Sequence, residues 1–183
     1  MKQLTILTGA SRGLGLALAE QLLAPGHTLV CISRKTSSEL TRIAANAGAV
    51  LEQWPLDLAQ PAIAEQTLRR WLGGRSAASW SSATLINNAC AMPPLLALRD
   101  AQGDDLSYAM RVGLEAPLLL SSAFLDATRH WAANRKVLNI SSGLGPWAFS
   151  RRTIALLKSE RNGGQSHRAS QPGPETQTSG ASR

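Results

Sequence analysis

The residues with the most chemical content lie in one stretch, Thr8-Gly9-Ala10-Ser11-Arg12-Gly13-Leu14-Gly15. A short apolar run, residues 4–7, leads into it, and residues 14–23, rich in helix formers and closed by Pro25-Gly26, lead out. A strand, a glycine-rich turn and a helix in that order present backbone N–H groups at a helix N-terminus, where they and the helix dipole hold a phosphate. One glycine lets the chain turn sharply off the strand, and a later one removes the side chain that would keep a pyrophosphate away. A tight turn that holds no ligand is the other use of the same residues.

Further polar groups fall where apolar runs end. Arg34-Lys35 follow the run 28–33, Asp57 follows the run 49–54, Asn87-Asn88-Ala89 close the run that begins at Thr84, and Ser141-Ser142 close the run that begins at Lys136. Each has a plain structural use: a solvated charge at a strand end for Arg34, an N-cap for Asp57, a turn for the asparagines. The elements that position them read as strands over 4–7, 28–33, 49–54, 84–88 and 136–142. Helices are expected over 14–23, 36–47 (Ser37 or Ser38 as N-cap, Gly48 past the end), 61–72, 104–111 and 114–133. Pro61 sits near a first turn, Pro117 marks a kink or another first turn, and 75–82 reads as a polar loop. Strands apolar on both faces, alternating with helices, require a parallel sheet covered on each side, with a ligand crevice at the carboxyl ends of its strands.

The chain has 183 residues, 44% of them hydrophobic, enough for one domain with a core. Its net charge of +7 is unevenly spread. The first 149 residues hold thirteen basic and ten acidic side chains, whereas 150–183 hold six basic and two acidic. The mildly basic folded part suits a phosphorylated small molecule, and a tail without interleaved aromatics argues against a nucleic-acid partner. Cys31 and Cys90 lie in apolar surroundings without metal spacing and read as reduced core residues. His27, His130 and His167 form no metal or triad pattern, and Ser142 has no Asp-His partner of the hydrolase kind. The apolar run after Lys2 ends within a few residues and no run approaches a membrane span, so a cytoplasmic, membrane-free protein is expected. Residues 163–183, almost without apolar side chains, are expected to be disordered.

Taken together, Thr8-Gly9-x-x-x-Gly13-x-Gly15, Asp57, Asn87-Asn88-Ala89 and Ile140-Ser141-Ser142, each at the end of a successive strand, resemble the short-chain dehydrogenase/reductase family over roughly residues 3–149. The branch with sepiapterin and benzil reductases is the most similar. The resemblance implies an α/β, Rossmann-type doubly wound sheet with strand order 3-2-1-4-5, and a ketone or aldehyde reduced by hydride transfer, so a small carbonyl or alcohol substrate. It implies that Gly9, Ser11, Arg12, Gly13, Leu14 and Gly15 hold the cofactor pyrophosphate. Arg12 and Arg34 stand where the family receives a 2′-phosphate, which favours NADP(H) over NAD(H), guanidinium matching phosphate in charge and geometry. Asp57 and Leu58 would meet the adenine; Asn87, Asn88 and Ala89 would line the cofactor and brace the central strands, with Cys90 in place of the family's glycine. Ser142 would be the catalytic serine.

The resemblance also defines a departure. The family protonates the carbonyl oxygen with a tyrosine helped by a lysine four residues on, yet the one tyrosine here, Tyr108, precedes Ser142, and no Tyr-x-x-x-Lys follows it. Gly113 stands where the family often has asparagine. The chain thus reads as truncated before the family's last strands and the elements of its usual homo-oligomer, with an aberrant tail over 150–183. A shifted reading frame accounts for this: residues 153–158 can be encoded ACT ATT GCG CTG CTA AAG, which from its third base reads Tyr-Cys-Ala-Ala-Lys. A naturally short C-terminus is the alternative.

Overall fold

Apolar residues on both sides of a strand need helices on both sides, and that demand sets the architecture. The computed structural model describes residues 2–94 and 96–141. It has five strands: β1 (Lys2–Thr8), β2 (His27–Ser33), β3 (Val50–Pro55), β4 (Trp80–Asn87) and β5 (Asn134–Asn139). They form one sheet in the order β3-β2-β1-β4-β5 with every pairing parallel. Parallel neighbours need crossovers, and these run through α1 (Gly13–Leu22), α2 (Ser38–Ala47), α3 (Pro61–Gly73), α4 (Gly103–Met110) and α5 (Ala116–Ala127). This is the expected doubly wound order.

Alternate strand residues serve two separate cores. Leu4 and Ile6 of β1 and Val30 and Ile32 of β2 pack with Leu68 and Leu72 of α3 and Leu120 and Phe124 of α5. Their neighbours Leu7, Leu29 and Cys31 face the other way, onto Ala19 of α1 and Leu40 and Ala44 of α2. β1 is central: the chain runs outward from it to β2 and β3, then crosses back through α3 to β4 on its other side and outward again to β5. The crevice of such a sheet lies where that reversal occurs, at the strands' carboxyl ends.

Local signals set most ends. The Ser37 hydroxyl caps α2 by accepting from the Leu40 N–H at 3.2 Å, and Gly48 ends it at φ +63°. Other boundaries differ from the sequence reading. Residues 75–82 are not all loop: a 3₁₀ turn at Ala77–Ser79 runs into β4 at Trp80, whose indole stacks on Trp131 with ring centroids 6.2 Å apart. The first residues of the strand are half-buried, with Trp80 packed against the core that includes Leu85. Helix 114–133 stops at Ala127: Thr128 leaves helical dihedrals, and the N–H groups of Arg129 and Trp131 close tighter turns onto the Asp126 and Thr128 carbonyls at 3.2 and 2.9 Å. α4 and α5 join through a π-helical turn, Arg111–Glu115, with Pro117 in the first turn of α5. A proline cannot donate to the carbonyl four residues back and crowds it, and a widened turn just before it relieves both problems. β5 begins at Asn134 and forms an edge of the sheet, with Leu138 51% exposed. Ser142, Trp147, residues 153–158 and the tail 150–183 lie outside the described residues.

No helix among the described residues is long and apolar enough to cross a membrane. Among the same residues no group of three or more His, Cys, Asp or Glu side chains is arranged to hold a metal.

Candidate functional site

β1 ends in Thr8, and the loop after it is held from both sides. Toward β2, the Gly9 N–H donates to the Ile32 carbonyl at 2.8 Å and the Ala10 N–H to the Ser33 hydroxyl at 2.8 Å. Toward β4, the Thr8 hydroxyl accepts from the N–H groups of Asn88 and Ala89 at 2.9 and 3.0 Å. The Asn88 side-chain amide in turn donates to the carbonyls of Thr8 and Gly9 at 3.0 and 3.2 Å. The loop is therefore fixed before any ligand arrives. This close packing explains two glycines: a Cβ on Gly9 would stand 2.9 Å from the Ala89 Cα, and one on Gly15 would overlap the Gly9 carbonyl oxygen and the Asn88 amide. Gly13 differs. Its φ of +55° is left-handed, and a Cβ there would meet open space, the space just ahead of α1.

α1 begins without the cap that α2 has. Arg12 occupies its N-cap position in extended backbone, and no side chain among the described residues caps the first-turn N–H groups. Unbonded donors, a positive helix end and an open face at Gly13 are the features by which a helix start can cradle an anion.

The cradle opens into a cleft of about 590 Å³ at the carboxyl ends of β1–β4. Gly9, Ser11, Arg12, Gly13, Leu14, Gly15, Arg34, Asp57, Leu58, Asn88 and Ala89 all line it. Asn87 does not. It is buried behind the lining, donating to the Ser121 hydroxyl at 3.2 Å and to Asn139 Oδ1 at 2.8 Å, so it ties β4 to α5 and β5. Asp57 has one oxygen engaged by the Ala59 N–H at 2.9 Å in the turn ahead of α3, and it is not the N-cap expected from the sequence, since that position is taken by Gln60. Ser142 lies outside the described residues.

The cleft also gathers residues that the sequence reading left out. Ile32, Leu56 and Val112 make its walls apolar, and Ser33 pins the loop. A hydroxyl at the last position of an apolar run, as at Thr8 and Ser33, was the signal available. Tyr108 lines the cleft from α4, and Arg34 Nη1 donates to its hydroxyl at 3.1 Å across 74 residues of sequence. Cys90 is not a core residue: it is exposed on the cleft wall, because the chain has already left β4 there. Cys31 is buried under α1 and α2, and burial pushes its thiol up to about 12.

Arg12 and Arg34 are the guanidiniums of the cleft, and among the described residues neither has a carboxylate within ion-pairing distance. Arg42, Arg69, Arg75, Arg99 and Arg129 are matched to Asp or Glu, whereas Arg70, Arg111 and Arg135 lie outside the cleft and likewise form no ion pair among the described residues. Positive charge without a carboxylate partner, beside a helix N-terminus with unbonded donors, is what a multiply charged phosphate ligand requires. Ile32, Leu56, Leu58 and Ala89 line the same cleft with apolar surface.

Comparison with known proteins agrees with this geometry. A family model described as short chain dehydrogenase matches residues 3–153. Benzil reductase ((S)-benzoin forming) of Bacillus cereus is 34% identical over 140 residues, which cover 76% of this chain and 56% of the relative. A short-chain dehydrogenase/reductase of known structure from Burkholderia vietnamiensis superposes with a TM-score of 0.66 at 33% identity, covering 81% of this chain and 67% of the other. A metagenomic short-chain oxidoreductase solved in complex with NADP has a TM-score of 0.65 at 28% identity, covering 76% and 62%. The chain spans a little over half the length of the curated relatives it matches.

Proposed function

The chain belongs to the short chain dehydrogenase family, and from that membership we propose that its cleft binds NADP(H) in preference to NAD(H), as the cofactor-holding part of a ketone or aldehyde reductase. The observation that carries the reading is the pair Arg12 and Arg34, free of ion pairs among the described residues, beside the uncapped start of α1.

The residues fit the dinucleotide. The N–H groups of the 9–15 loop and of the first turn of α1 would hold the pyrophosphate, and Gly13 leaves it room. Arg34 and Arg12 would receive the 2′-phosphate by charge-assisted hydrogen bonds. Leu58, Leu56, Ile32 and Ala89 would flank the adenine, with the second oxygen of Asp57 accepting from its amino group. When bound, the nicotinamide supplies the hydride. Ser142, by resemblance, would orient the carbonyl oxygen that receives a proton.

A second reading has its own observation. The hydroxyl of Tyr108, the chain's one tyrosine, is bonded to Arg34 at the phosphate end of the cleft, and no Tyr-x-x-x-Lys follows Ser142. A chain without the proton donor is a nucleotide-binding protein that does not turn over; loss of a general acid costs about 10²–10⁴ in rate. Calorimetric titration with NADPH and NADH, followed by an assay of NADPH oxidation with benzil, the diketone in the relatives' name, separates the readings. Stoichiometric NADPH binding with benzil-dependent oxidation supports the reductase, and binding without oxidation supports the inactive binder. Failure to bind either nucleotide overturns both. Sequencing the gene across codons 143–160 tests the shifted frame: a family remainder must continue in the alternative frame, or that account is wrong.

A further inference from the structure

The contact between Arg34 and Tyr108 joins opposite walls of the cleft. Arg34 leaves the end of β2 with its side chain exposed, whereas Tyr108 is half-buried on α4 with its ring packed against the core that includes Val112. An exposed arginine otherwise samples many rotamers, and each one lost on binding an anion weakens that binding. A hydroxyl held by a packed ring removes part of this cost beforehand.

The chemical nature of the partner matters as much. The matched arginines elsewhere in the described residues, Arg42, Arg69, Arg75, Arg99 and Arg129, are held by carboxylates. A carboxylate neutralises the guanidinium and competes with an incoming phosphate. A phenol oxygen accepts a hydrogen bond and leaves the full positive charge in place. Asp57, the carboxylate that lines the same cleft, makes no ion pair with Arg34, and neither do Asp104 and Asp105 in the first turn of α4. Arg34 is thus positioned without being discharged.

We propose that Tyr108 is a specificity-determining residue of this cleft, which raises its preference for a 2′-phosphorylated adenosine by holding Arg34 through an uncharged acceptor. The proposal rests on the NADP(H) reading above. It concerns the adenosine end alone, so fragments that lack nicotinamide test it.

The experiment is equilibrium binding of 2′,5′-ADP and of ADP to the full chain and to Tyr108→Phe, Arg34→Ala and the double variant, with circular dichroism melts on each. Phe keeps the ring and its packing. Tyr108→Phe is expected to weaken 2′,5′-ADP binding about threefold to tenfold, the share of one hydrogen bond to a charged group, and to leave ADP within about twofold. Arg34→Ala is expected to lower the preference further than Tyr108→Phe does, Arg12 keeping the remainder, and the double variant to match Arg34→Ala. If Arg34→Ala lowers the preference while Tyr108→Phe leaves it intact, or if Tyr108→Phe weakens both ligands equally, the proposal is overturned and the cofactor reading stands. If the parent chain binds both fragments equally, the 2′-phosphate reading fails and the proposal with it.

Discussion

Thr8 and Asn88 hold each other reciprocally: the Thr8 hydroxyl accepts the Asn88 backbone N–H, and the Asn88 side-chain amide donates to the Thr8 carbonyl. Both close the gap between β1 and β4 at the floor of the cleft. Thr8 is buried, so Thr8→Val, nearly the same shape, leaves the N–H groups of Asn88 and Ala89 without a partner. A loss of about 1–3 kcal/mol in unfolding free energy is expected by urea titration, and Thr8→Ser should recover most of it. An unchanged Thr8→Val midpoint would show that the loop is held by other means.

The glycines separate by mechanism. Gly15→Ala places a Cβ on the Gly9 carbonyl and the Asn88 amide, so the loop must move, and a cost of about 1–3 kcal/mol with loss of nucleotide binding is expected. Gly13→Ala meets nothing among the described residues and costs only its left-handed backbone, about 1 kcal/mol, yet it intrudes on the cradle. Gly113→Ala also meets nothing, within a helical run, and is expected to stabilise by about 0.5–1 kcal/mol. Melting curves and NADPH titrations on the three variants check these directions.

Much of this was legible in the residues because the cues are local. An apolar run followed by glycines gives a strand and a turn, Ser37 and Gly48 bound a helix, and Pro61 opens one. The order of the sheet followed from the alternation of elements and the family likeness. The Arg34–Tyr108 bond was not legible, because it joins residues 74 apart through a cleft that exists only after folding. The start of β4 was hidden by its serines, since pairing to β1 and stacking of Trp80 on Trp131 override their polarity. Asn87 shared a motif with Asn88, yet adjacent strand residues face opposite sides, and only Asn88 reaches the cleft.

Acid should weaken the fold through His27. Its Nε2 lies 2.9 Å from the Thr5 hydroxyl, and burial holds its pKa below the ordinary value of about 6.5. The unfolded chain therefore takes up a proton before the folded one does. Stability is full above about pH 6.5 and falls as the pH drops from there through the folded-state value. His27→Gln should flatten that limb of the stability–pH curve measured by denaturant titration, and an unchanged slope would assign it to other groups.

The two thiols should react differently. Cys90 is exposed on the cleft wall, and Cys31 is buried with its thiol pushed up to about 12. Iodoacetamide is expected to label Cys90 alone in the native protein and both after unfolding, as peptide mass mapping would show. NADPH should slow the labelling of Cys90. Equal labelling of Cys31 in native protein would contradict the packing of α1 and α2 over β2.

The π-helical turn at Arg111–Glu115 has an angular consequence. An α-helix advances about 100° per residue, and a π turn admits one residue more than an α turn. With α5 anchored on the sheet by Leu120 and Phe124, that additional residue sets the azimuth of everything before it. Were the same residues wound as α-helix throughout, Tyr108 would be swung about a quarter-turn around the axis, whereas removing one residue as the ladder closed would leave it on its present side. The phenol that meets Arg34 is thus aimed by a miscount in the helix three residues farther along the chain.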